Sequence, residues 1–216
     1  MKYVLTQAQF STLLTLCGIT GLYTFSLAEN LPQAELIRVV HTLYQAGIAA
    51  PEGERLMPAR EIREMLTVME KADSALQVTD PSGASGQRLL YPAGRDEVVV
   101  LERCLSEQEN AFKLCKTSAG AFFEDLLRNE LDAVGTSSSP EDGTGEGTGQ
   151  GRPQELLRLE RIDVAAGAAA SAVTVQALEG TVWLQTERAE ESIRLPYSEA
   201  RLWELFLHRL EGDDFD

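Results

Sequence analysis

Two segments of this chain repeat one pattern, and the repeat limits the folds open to it. Ala111-Phe-Lys-Leu-Cys-Lys-Thr-Ser-Ala-Gly-Ala-Phe-Phe-Glu-Asp-Leu-Leu127 aligns with Ser192-Ile-Arg-Leu-Pro-Tyr-Ser-Glu-Ala-Arg-Leu-Trp-Glu-Leu-Phe-Leu-His208. Each reads as a short strand, a polar turn and an amphipathic helix. In this register Phe112 matches Ile193, Leu114 matches Leu195, Phe123 matches Glu204 and Leu127 matches His208. The likeness is therefore one of pattern more than of letters. Each copy follows two or three strand-like runs, so the expectation is two related halves sharing one sheet. Such an architecture presents surface, and neither copy carries a catalytic signature.

The chain has 216 residues, enough for one large domain or two small ones, with a sound core in either case. A net charge of −15 decides more. It disfavours nucleic acid, whose phosphates are bound by Lys and Arg releasing counterions, and it disfavours anionic membranes. A protein or a cation is the partner such a surface favours, although acidity also serves plain solubility. Three cysteines, Cys17, Cys104 and Cys115, leave an odd count without a CxxC pair, which fits a reducing compartment. A Cys104–Cys115 disulfide across neighbouring strands is geometrically conceivable and nothing else in the sequence supports it. Polar residues interrupt Met1–Phe10, no stretch of about 18 apolar residues exists to span a bilayer, and the expectation is a cytoplasmic protein.

Along the chain, Thr6-Gln-Ala-Gln9 is a capping box opening a helix with Phe10, Leu13, Leu14 and Cys17 on one face. A second helix starts near Pro32 and carries Leu36, Val39, Val40 and Leu43 as its apolar stripe. After the turn Pro51-Glu-Gly-Glu54 and the run Arg55–Met57, Pro58 starts a third helix with Ile62, Met65, Leu66 and Met69. Strands are expected at 76–79, 87–91 and 97–102, and Val98-Val-Val-Leu101 is apolar on both alternating faces, so it should be covered on both sides. A helix from about Ser118 to Leu131 follows. Residues 135–153 hold only small, polar and charged side chains and read as a flexible linker. The second half opens with a strand at 156–162 and a small-residue loop, Ala165–Ser171. A hairpin, 172–178 and 181–186, then turns at Glu179-Gly180. Val173, Val175 and Ala177 alternate there with Thr174 and Gln176. A last helix from Ser198 carries Leu202, Leu205, Phe206 and Leu210, and the tail 211–216 is acidic and expected to fray.

The order of elements resembles a known family. Leu5-Thr-Gln-Ala-Gln-Phe10 leads a helix, Pro32 leads Leu43-Tyr-Gln-Ala-Gly47, and Pro58 leads Leu66. Arg88-Leu-Leu90 and Asp96-Glu-Val-Val-Val100 then precede the duplicated half. This resembles the EspG-like chaperones associated with type VII (ESX) secretion. The resemblance implies an α+β fold with a largely antiparallel central sheet and pseudo-twofold related halves. It also implies a cytoplasmic, non-enzymatic protein that binds helical-hairpin export substrates and keeps them soluble. The linker 135–153 and the loop Ala165–Ser171 depart from the pattern, so no binding residue is carried over.

Candidates to carry chemistry are few. His41 lies off its helix's apolar stripe, with no Gly-x-Ser-x-Gly or metal-ligand spacing near it. Glu204 and His208 are one turn apart, but two potential ligands without a third make poor evidence of a metal site. Glu124 with Asp125, and Glu187, Glu190 and Glu191, reflect an acidic composition, and nothing in sequence places two of them across a cleft. Gly83-Ala-Ser-Gly86 is not a phosphate loop. The first three helices also describe a winged-helix-like module, but its candidate recognition face offers Arg60, Arg63 and Lys71 against Glu61, Glu64 and Glu70. Trp183 and Tyr91 remain as aromatic candidates for anchoring a protein partner. Trp183 points away from Val182 and Leu184, either under a helix or into solvent.

The sequence thus predicts an α+β protein in four parts. They are an N-terminal helical segment (1–72), a first strands-plus-helix half (73–134), the linker (135–153) and a second half (154–211), together one compact domain. The expected function is a protein-binding chaperone without catalytic residues, cofactor or metal. A regulatory or scaffold protein with a winged-helix-like N-terminal module is the alternative.

Overall fold

Thr6 and Gln9 start the first helix as their spacing requires. The Thr6 hydroxyl accepts from the Gln9 amide at 3.2 Å, and the Gln9 side chain accepts from the Thr6 amide at 2.9 Å. The computed structural model describes residues 2–23, 25, 31–81, 86–105, 110–131, 153–188 and 191–212. Nearly all of the linker 135–153 and residues 213–216 of the acidic tail lie outside these.

Strand β1 (Lys2–Thr6) runs into helix α1 (Gln7–Leu16), followed by α2 (Gln33–Gln45), the hairpin β2 (Ala49–Glu52) and β3 (Arg55–Pro58), and α3 (Arg60–Lys71). Four strands come next, β4 (Ser74–Thr79), β5 (Gln87–Pro92), β6 (Glu97–Leu105) and β7 (Asn110–Ser118), and then α4 (Ala119–Leu126), which continues as a π-helical turn over Leu127–Leu131. The second series is β8 (Gln154–Asp163), β9 (Ala168–Leu178), β10 (Thr181–Arg188), β11 (Glu191–Pro196) and α5 (Glu199–Glu211).

All strands but the β2–β3 pair form one nine-stranded antiparallel sheet in the order β1-β7-β6-β5-β4-β8-β9-β10-β11. The fold is α+β. Two sequence series meet at its middle, where β4 pairs with β8 with Val78 opposite Leu159, Gln77 opposite Glu160 and Thr79 opposite Arg158.

Because strand side chains alternate, the sheet has two separable faces. On the front, Leu76, Val78, Leu90, Val98, Val100, Leu157, Leu159, Val173, Val175 and Leu184 pack against Phe122, Phe123 and Leu126 of α4 and Leu202, Leu205 and Phe206 of α5. On the back, Leu5, Leu89, Tyr91, Val99, Leu101, Phe112 and Leu114 pack against α1 and α3 through Phe10, Leu13, Leu14, Ile62, Met65, Leu66 and Met69. Val98–Leu101 accordingly divides its side chains between two cores, as its unbroken apolar run predicts. The rings of Phe10, Phe25 and Phe112 close the back core, with centroids 4.8 to 5.0 Å apart.

Several boundaries differ from expectation. Ala168–Ser171, expected as loop, extends β9, because β8 is long enough to pair Ala169 with Ile162 and Ala168 with Asp163 past a register irregularity. The first residues form an edge strand on β7. The repeated helices begin at the N-caps Ser118 and Ser198, whose hydroxyls accept from the amides of Ala121 and Arg201. Aligning those caps matches Cys115 with Leu195, one residue off the register read from sequence. A slip of one residue exchanges the faces of a strand. The corrected register sets Phe122 with Leu202, and Leu126 with Phe206, all buried. No Cys104–Cys115 disulfide exists, since Cys104 lies opposite Ala111 while Cys115 lies opposite Val100. Four residues of strand separate the two, roughly 13 Å, well beyond the reach of a disulfide.

Candidate functional site

The sequence places four residues of α2 on one apolar stripe, but only Val39 and Leu43 of these reach the core. α2 lies outside α1, so its remaining apolar side chains have little among the described residues to cover them. Leu36, Ile37 and Tyr44 are 41%, 60% and 55% exposed, and they account for three of the five large hydrophobic side chains exposed among the described residues. With Val40, His41 and Leu56 of β3 they line a shallow groove of about 420 Å³. An exposed apolar stripe of this kind is a candidate interaction surface. Sequence reasoning missed it because a helix on a second layer needs only a narrow buried seam, and periodicity alone does not show which part of a wide stripe is used.

The two aromatic candidates lie in different environments. Tyr91 is fully buried on the back of β5, under α1–α3, and is not available to a partner. Among the described residues its hydroxyl has no hydrogen-bond partner, and burial pushes the phenol well above its ordinary pKa. The sequence misleads here because Arg88 and Gln87 make β5 look half-polar. Arg88 is in fact buried on the front, ion-paired to Glu130 of the π-helical turn at 2.7 Å, with its guanidinium 5.9 Å from the Phe122 ring centroid.

Trp183 lies on the back of β10, half-buried, and belongs to neither core. Its indole N–H donates to Gln176 Oε1 at 3.2 Å, and the Arg194 guanidinium carbon lies over the ring, 5.3 Å from its centroid. The rest of this face is polar. Arg158 reaches Glu160 at 2.9 Å and Glu187 at 3.4 Å, and Gln77 donates to Glu160 at 3.2 Å. Trp183 is thus held at its edge and its face by side chains of its own sheet.

The winged-helix alternative meets two obstacles. α3 spends its apolar face on the back core through Ile62, Met65, Leu66 and Met69. Two arginines on its exposed side are neutralised, Arg60 by Glu64 at 2.8 Å and Arg63 by Glu52 at 2.9 Å, which leaves a poor surface for phosphates. His41 lies in the apolar groove, and His208 is half-buried on α5 next to the exposed Glu204. Among the described residues no three His, Cys, Asp or Glu side chains are grouped to hold a metal ion, and no helix is long and apolar enough to cross a membrane.

The fold is similar to that of a secretion chaperone. The solved structure is the type VII secretion system chaperone EspG5 of Mycobacterium tuberculosis in complex with the PE25–PPE41 dimer. The TM-score is 0.61, and the match covers 98% of this chain and 96% of that one at 9% sequence identity. No family model and no curated protein matches the chain. At that identity the likeness establishes the shared α+β fold.

Proposed function

We propose that this protein is a non-enzymatic chaperone of the cytoplasm that holds a helical, aggregation-prone export substrate by reversible contact. The observation that carries the reading is the exposed apolar stripe of α2, Leu36, Ile37, Val40 and Tyr44, on a fold shared with a secretion chaperone solved with its protein partners. An apolar helix face in that groove would be shielded from water, which is what keeping such a substrate soluble requires. Trp183 on the open back of the second half is proposed as a further contact, on the same side of the sheet as the α1–α3 layer.

The proposed architecture behind this is a local twofold axis between β4 and β8. Ladder register supports it. From the aligned N-caps, Cys115 corresponds to Leu195, and their partners Val100 and Leu184 to each other. One strand further in, Leu90 corresponds to Val175, and then Leu76 to Leu157. Val78 therefore corresponds to Leu159, and those two residues face each other across the central pair, as such an axis demands.

The test is capture from native lysate on the immobilised protein, read by mass spectrometry, beside the variant Ile37→Ser/Tyr44→Ser. Enrichment of small helical secretion substrates, lost in the variant, is expected. Retention of nothing specific, or retention that the variant leaves unchanged, overturns the reading.

A further inference from the structure

The Trp183–Arg194 pair on the back face has a chemistry of its own. Arg158 on the same face spends its charge on Glu160 and Glu187. Arg194 is exposed and, among the described residues, has no carboxylate partner; what it has is the Trp183 ring. A cation–π contact is an electrostatic attraction to the ring and leaves guanidinium N–H donors available to a further acceptor. The bond from its N–H to Gln176 favours this orientation of the ring.

We infer that Trp183 and Arg194 together read a carboxylate on the partner, with the ring taking an adjacent apolar side chain; this deepens the protein-binding reading above and rests on it. The occupant is an amphipathic helix of the partner bearing Asp or Glu beside its apolar stripe. Charge complementarity selects the carboxylate, since a guanidinium can donate two parallel, charge-assisted N–H bonds to its oxygens. The corresponding back face of the first half selects a helix, since Tyr91 and Val99 there lie beneath the helical layer α1–α3. At about 0.15 M salt, charges more than about 8 Å apart are screened, so the acidic remainder of the chain does not forbid the contact.

The probe is a pair of capped, fluorescent amphipathic helical peptides with one leucine stripe flanked by Glu in one and by Gln in the other, titrated onto the full chain. The Glu peptide is expected to bind about fivefold tighter. Arg194→Gln should erase that preference without changing the melting temperature, because the side chain is exposed. Arg194→Glu should instead prefer a Lys-flanked peptide. Equal affinities, no binding of the Glu peptide, or a preference that survives Arg194→Gln overturns the inference. So does a concentration-dependent dimer that Arg194→Gln dissolves, which would give the face to a second copy of the chain. If the peptides are not discriminated while Ile37→Ser/Tyr44→Ser still abolishes capture of the native partner, the inference falls and the protein-binding reading stands. If that variant also captures as wild type, both fall.

Discussion

Under the proposed twofold axis, Tyr91 opposite Val99 in the first half and Gln176 opposite Trp183 in the second are corresponding pairs on the back of the sheet. The first is buried beneath α1 and α3, while the second carries its aromatic in the other strand and lies in neither core. The same ladder position thus serves stability in one half and surface in the other. What differs is the composition of the back face. Leu89, Tyr91, Val99, Leu101, Phe112 and Leu114 need a cover. Arg158 donates to Glu160, Thr174 and Glu187, Gln185 donates to Glu187, and Gln176 accepts from Trp183, so these polar side chains need no apolar cover. On the front the halves differ less, with α4 and α5 sharing one core. Even there Arg88 with Glu130 stands in the first half where Val173 corresponds to Arg88 in the second.

The largest effects should separate the two back faces. Phe112→Ala opens a cavity in the triple-phenylalanine cluster and should cost about 3–5 kcal/mol in chemical denaturation, whereas Gln185→Ala on the open face should stay within about 0.5 kcal/mol. Equal losses would mean that the second back face is covered after all. Arg88→Ala strands Glu130 without its counter-ion and should cost about 3–5 kcal/mol, while Arg88→Val with Glu130→Leu, which gives the front of the first half the apolar character of the second, should be neutral or stabilising. Ile37→Ser and Tyr44→Ser should each change stability by less than about 1 kcal/mol, because both side chains are already mostly in water. The smallest effect concerns the turn of the second half. Glu179 at φ 51° and Gly180 at φ 82° form a hairpin turn that favours Asn at its first position, so Glu179→Asn should add about 0.5 kcal/mol.

Where one local rule dominates, the sequence is a good guide. The Thr6–Gln9 box, the Glu179-Gly180 turn and the two-sided run Val98–Leu101 each depend on neighbours in sequence, and each forms as read. The misses all depend on a partner distant in sequence. Ala168–Ser171 has little strand preference of its own and becomes strand because β8 pairs with it. Arg88 disguises β5 as half-exposed because its counter-ion is 42 residues away. The exposed half of the α2 stripe could not be told from the buried half, and that is where the candidate site lies. Trp183 was legible as an outward-pointing aromatic, but its locking by Gln176 and Arg194 needed three strands in register.

The central claim is that binding uses the back side of the molecule, with the α2 stripe as its main anchor. The most direct test is the dissociation constant of the captured partner for wild type, for Ile37→Ser/Tyr44→Ser, and for Val4→Ser, whose side chain is 61% exposed on the front of the β1 edge. A loss of about tenfold or more for the α2 variant, at unchanged melting temperature and with Val4→Ser binding as wild type, is the predicted result. An α2 variant that binds as tightly as wild type, or a larger loss from Val4→Ser, would contradict the account.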